Sequence, residues 1–174
     1  MRHHANRGRA WQQAVEDQHA EYARAGRCAS IRNEPARTSA WKDDAACEDA
    51  IAHGRGAPDY TVLGNHRGVP YAFTAEAKDH AGDHWPLAEV SHWQAQRMDG
   101  IVQQGHAALI LLRLGGRVFL IEWASVAADW HVARGRGFIL TPDDFRLIEV
   151  YSADYLDAAI SLLPISPPRS LYPE

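Results

Sequence analysis

Two hydrophobic periods alternate along the chain and predict its elements. Over residues 9–25 the apolar positions Trp11, Val15 and Tyr22 recur at helical spacing, and Gly26 ends the run. Residues 28–32 read as a first strand. Residues 59–63 and 69–75 are β-rich runs either side of a turn cluster at 64–68, and the second run leads straight into Glu76-Ala77-Lys78. Between the first strand and this pair, residues 33–57 are polar and rich in Ala and Asp. They read as an insertion, partly helical around 43–51. Pro86 opens a predicted helix to about Gln104, with Leu87, Val90, Trp93, Met98 and Ile101 at its buried positions. Residues 107–114 and 117–123 form two strong strands joined at Gly115-Gly116, a two-residue hairpin signal. Beyond them, Thr141 is a candidate cap for a short helix. A further helix is predicted over 154–163, and 164–174 reads as a Pro-rich tail. The order predicts an α/β (α+β) fold, a central mixed β-sheet flanked by helices, in a single domain over 1–163.

Composition narrows this only a little. At 174 residues, with 46% apolar and 23% charged positions, the chain suits one soluble globular domain. Its longest apolar run, 107–112, is far short of the roughly 18 residues that span a bilayer, so no membrane partner is expected. The first residues lack the apolar stretch of a secretory signal, and Cys28 and Cys47 are too few for a disulfide framework. A reduced, cytoplasmic setting is expected. The net charge is −4, but residues 1–42 hold eight Arg/Lys against four Asp/Glu, a local +4 that leaves −8 for the rest. A basic front end of this kind is compatible with phosphate contacts.

The chemistry lies in the two motif strands. Side chains alternate faces along a strand, so Glu76 and Lys78 share one face while Ala77 points to the other. A carboxylate on the adjoining strand, Asp59, completes a set of two acids and an ammonium. Such a set can hold a divalent metal beside an activated water, the apparatus of phosphodiester hydrolysis. As a bare string, Glu-x-Lys also describes an exposed ion pair worth at most about 1 kcal/mol. Of the 18 basic residues, 16 are Arg and only Lys42 and Lys78 are Lys. A chain so biased toward Arg has kept a compact amine at the third position of the triplet, where Arg is no substitute.

Pro58-Asp59, Glu76-Ala77-Lys78 and the element order resemble the PD-(D/E)xK nuclease superfamily, whose core is restriction-endonuclease-like. Within it the chain is more similar to the RecU-type Holliday junction resolvases, with the archaeal resolvase Hjc a more distant relative. The landmarks are Asn6-Arg7-Gly8 before the first helix, Asp59-Tyr60, the run from Phe73 to Lys78, and Pro86-Leu87 followed by Ser91-His92-Trp93-Gln94. The resemblance implies a metal-dependent endodeoxyribonuclease, bacterial or phage-encoded, that cuts branched DNA at four-way junctions as a homodimer, in recombination or repair. Another DNA target (nicked, single-stranded or duplex) is the alternative, and so is a non-catalytic DNA-binding protein on the same fold.

The implied roles follow residue by residue. Asp59, Glu76 and the Ala77 carbonyl would hold Mg²⁺, for which Mn²⁺ can substitute. Lys78 would orient the water or balance transition-state charge, and Gln94 would bond the nucleophile or the scissile phosphate. Arg7, Arg9, Gln12 and Arg32 would contact DNA. Gln12 stands where the family usually has glutamate, with Glu16 one turn later. His92 is placed to shape the site, and the pair His80 and His84 has the spacing of two metal ligands. The insertion occupies the position of the family's basic stalk but carries Asp43, Asp44, Glu48 and Asp49. Strands 107–123, or the N-terminal arm, would supply the dimer interface.

Overall fold

The computed structural model describes residues 3–33 and 57–163, with the side chains of 3–7 and 133 outside that description. The predicted insertion, apart from its end residues 33 and 57, and the Pro-rich tail therefore lie outside the described residues, as does the side chain of Arg7.

Among the described residues a six-stranded mixed sheet runs in the order Cys28–Arg32, Tyr60–His66, Val69–His80, Ala107–Leu114, Arg117–Glu122, Leu147–Val150. Helix α1 (His3–Arg24) leads into β1 (Cys28–Arg32), which pairs antiparallel with β2 (Tyr60–His66). β2 turns back into the long β3 (Val69–His80), again antiparallel. β5 (Ala107–Leu114) then lies parallel to β3, with Glu76 opposite Ile110 and Lys78 opposite Leu112. β6 (Arg117–Glu122) returns antiparallel to β5, and β8 (Leu147–Val150) closes that side. A parallel pair needs a crossover, which here contains helix α2 (His92–Gln103).

β5 is central and buried on both faces, as a strand in parallel pairing must be. Leu109 and Leu111 point into one core with Trp11, Val15 and Tyr22 of α1 and with Leu156 and Ile160 of α4 (Leu156–Leu162). Ile110 and Leu112 point into the other, with Ala95 and Met98 of α2 and with Trp123, Val126 and Trp130 of α3 (Trp123–His131). β5 and β6 sit inside the sheet, so 107–123 offers no free edge for a dimer. The segment after residue 123 supplies an edge strand and a helix to each layer.

The Gly115-Gly116 hairpin forms as expected: both glycines have positive φ, 58° and 88°, and Leu114 pairs with Arg117. The helix predicted from Pro86 does not start there. Trp85–Pro86 is a short strand, β4, paired with β7 (Ile139–Leu140), and a single 3₁₀ turn over Leu87–Glu89 follows. Pro86 and Val90 are both extended, so the backbone becomes helical only after the Ser91 cap. Nor does Thr141 cap a helix. Its carbonyl accepts the Asp144 N–H in a turn that leads to β8.

Candidate active site

The site grows from the point where the β2–β3 ladder stops. Continued one step past Tyr60–Ala75 and Asp59, the register would set Pro58 opposite Ala77. The Pro58 carbonyl instead accepts from Asn33 Nδ2 at 2.8 Å. The Ala77 N–H, left without a strand partner, donates to Asp59 Oδ2 at 2.9 Å. A buried backbone donor must find an acceptor, and here it holds the aspartate in place. Asn33 grips the same corner twice more: its own N–H donates to the Asp59 carbonyl at 2.8 Å, and Nδ2 reaches Thr61 Oγ1 at 3.1 Å.

Glu76 and Lys78 lie together on the α2 side of β3, while Ala77 packs into the α1 core. Lys78 Nζ is 2.9 Å from Glu76 Oε1 and donates to Gln94 Oε1 at 3.1 Å. Gln94 arrives through the capping box of α2. The Gln94 N–H donates to Ser91 Oγ at 3.2 Å, and the Ser91 N–H donates back to Gln94 Oε1 at 3.0 Å. With Oε1 facing two donors, the Gln94 amide nitrogen faces Glu76 and donates to its Oε1. The opposite orientation would set the amide nitrogen against an N–H and an ammonium, so the network allows only one.

Burial dominates the electrostatics. Glu76 is 3% exposed, and loss of hydration pushes its pKa from 4.5 to about 7, opposed by the Lys78 charge and reinforced by that of Asp59. Asp59 is raised as well, again by burial first, against the Ala77 N–H and the Lys78 charge. The Gln12 side chain hydrogen-bonds to Asp59. Gln12 thus belongs to the carboxylate cluster itself. Glu16 does not join it, but pairs with Arg32 at 2.6 Å beside the Tyr60 hydroxyl. Arg32 still acts on Asp59 through its charge. Arg9 is exposed on α1.

Other expected residues lie elsewhere. His92 stacks on Trp130 of α3, with centroids 6.2 Å apart and planes 15° from parallel, and does not enter the cluster. His80 pairs with Glu89 at 2.9 Å and His84 with Asp83 at 2.7 Å. Among the described residues, no three His, Cys, Asp or Glu side chains gather in the manner of a metal site. Trp85 is buried, but Trp93, expected at a buried position, is 41% exposed. Asn33 and Ser91 carry no chemistry of their own, and their positioning roles appear only once register and cap are known.

The donor set suits a hard divalent cation. Glu76 Oε2 is buried with no hydrogen-bond partner, an arrangement costly for a carboxylate unless something else meets it. A second carboxylate, Asp59, stands at the entrance to the neighbouring strand, and Mg²⁺ is commonly held by one or two carboxylates while keeping several waters.

No protein-family model matches the chain, and no curated protein matches it. Among solved structures it is similar to Hjc, a Holliday junction resolvase of the archaeal hyperthermophile Archaeoglobus fulgidus. The identity is 18% and the TM-score 0.39, over 64% of this chain and 75% of that one.

Proposed function

We propose that this protein is a metal-dependent nuclease of the PD-(D/E)xK type, with branched DNA as its substrate and a four-way junction as the leading candidate. The observation that carries the reading is the buried Glu76 carboxylate: Lys78 and Gln94 hold one of its oxygens, the other is unpartnered, and Asp59 stands just before the adjoining strand. A structural ion pair needs no second carboxylate beside it and no empty lone pairs, and it is more stable without them.

Asp59, Glu76 and the Ala77 carbonyl would hold the cation. When bound, it would supply Lewis-acid polarisation of the phosphate and a lowered pKa for an attacking water. The chain's own groups do the rest. Asp59 is fixed through the Ala77 N–H, so it would meet a cation without reorganisation. Lys78 brings positive charge to where negative charge develops on the phosphate oxygens. Gln94 orients Glu76 through its amide nitrogen and Lys78 through its amide oxygen, so one side chain aligns both partners. Two symmetric cuts across a four-way junction call for two sites related by a two-fold axis. A homodimer is therefore part of the proposal.

The test is cleavage of a labelled synthetic four-way junction with Mg²⁺ or Mn²⁺, beside linear duplex, nicked and single-stranded controls, with Lys78→Ala in parallel. Paired nicks on the junction, lost in Lys78→Ala, are the expected result. Cleavage of the controls alone would keep the chemistry and discard the junction. No cleavage of any substrate with either metal would sink the nuclease reading.

A further inference from the structure

On the face of the sheet that carries Glu76 and Lys78, a groove of about 710 Å³ opens between β2–β3 and α2. Thr61, Thr74, Trp93, Gln96, Arg97 and Gln104 line it. Its wall is continuous with the site. Pro58, also in the lining, precedes Asp59, Thr74 is one same-face step before Glu76, and Trp93 precedes Gln94. A molecule seated there adjoins the reacting phosphate. The volume lies within the range of ligand sites, about 300–1,000 Å³.

The lining has a definite chemistry. Hydroxyls, carboxamides and a guanidinium surround one large aromatic, Trp93, which is 41% exposed. Trp11, Trp85, Trp123 and Trp130 are all at most 3% exposed, so among these Trp93 alone keeps its indole in water. Carboxamides carry donors and acceptors side by side, as base edges do. An aromatic ring with hydrogen-bonding groups around it is the arrangement that takes up a splayed-out base. Inside a duplex both faces of each base are covered by neighbours, so this groove can take up a base only where it is unpaired.

We propose that this groove receives an unpaired nucleotide of the substrate, its base stacked on Trp93 and its edge met by Gln96, Gln104 and Arg97. The proposal rests on the nuclease reading and narrows it. The preferred substrate has an unpaired base beside the scissile phosphate, as a flap, gap, bulge or open branch point has.

The test is equilibrium binding of the full chain in EDTA to a fluorescein-labelled single strand and to a blunt duplex of the same sequence, with Trp93→Ala and Trp93→Phe. Stacking on one aromatic corresponds to roughly 5- to 150-fold in affinity. Trp93→Ala is expected to lose that factor on the single strand, Trp93→Phe to recover most of it, and the duplex to bind all three proteins alike. Equal losses on both DNAs, or no loss on either, would overturn the proposal. Because binding is read without metal or cleavage, the two readings fail separately. A chain that cuts DNA but binds independently of Trp93 loses only the groove. A chain that prefers single strands through Trp93 but never cuts loses only the nuclease.

Discussion

The Asp59 carboxylate accepts the Ala77 N–H at 2.9 Å, so a candidate metal ligand doubles as the cap of a broken β-ladder. This gives the proline before it a reason. Pro58 stands where the ladder would continue, it has no N–H to offer, and the strand ends with the aspartate turned back onto β3.

Asp59→Asn and Asp59→Ala are therefore expected to separate. Asparagine keeps an oxygen for the Ala77 N–H and removes a charge that burial disfavours, so stability in EDTA is retained or raised. Alanine strands the donor at a cost of about 1–3 kcal/mol. Urea denaturation of both variants measures the difference, and neither should cleave.

Glu76 makes stability depend on pH. Its folded pKa is raised from 4.5 to about 7, so between those values the folded state binds more protons than the unfolded one. The stabilisation is complete below pH 4.5 and disappears as pH rises through 7. Glu76→Gln removes the dependence. In EDTA its stability relative to wild type is expected to grow across that window, by about 3 kcal/mol above pH 7. A constant difference from pH 4.5 to 8 would show that the carboxylate titrates normally.

His19 acts in the opposite direction. Buried in the α1 core, with Nε2 2.6 Å from the Tyr155 hydroxyl, it has its pKa lowered by burial from 6.5 to about 4. A depressed histidine contributes stability above pH 6.5 that is lost as pH falls toward 4. Its ring resonances should titrate near the lower value by NMR. A His19→Leu variant should lose less stability over that acid range than wild type.

Ser91 and Gln94 can be separated by their two roles. Ser91→Ala removes a helix cap, at about 1 kcal/mol, and loosens Gln94, so cleavage should fall together with thermal stability. Gln94→Glu keeps an acceptor for Ser91 and Lys78 but sets a carboxylate against Glu76. Stability should largely survive at low pH, while cleavage falls at least about tenfold, an order-of-magnitude figure for a group that positions its neighbours. Melting curves and rates on one substrate check both.

Mg²⁺ or Mn²⁺ should raise the melting temperature of the wild-type chain, and the rise should continue with the logarithm of the free metal concentration once that exceeds the Kd. Asp59→Asn and Glu76→Gln should abolish the rise. A shift that persists in both would place the ion elsewhere.

Much of the site was legible because its spacing is local. Glu76 and Lys78 share a face by the two-residue period of a strand, and the turn at 64–68 makes Asp59 their neighbour. The central sheet was legible for the same reason, in the apolar runs of β3, β5 and β6. The start of α2 was not. Pro86 is a common first helical residue, but here its pairing with Ile139, far along the chain, holds it extended. Trp93 reads as a buried position of that longer helix. With the helix starting only after Ser91, the indole falls on the groove side instead.

Period and turn chemistry in the chain thus decide which residues share a face, where the strands lie and that two carboxylates and an amine converge. Contacts between residues distant in sequence decide the rest: the turning of Asp59 by a ladder that stops at Pro58, the grip of Asn33, the choice of Gln12 over Glu16, and the exposure of Trp93. Periodicity is a property of neighbouring residues. Register and helix docking are settled by whichever long-range pairing buries the most apolar surface while leaving the fewest backbone groups unpaired.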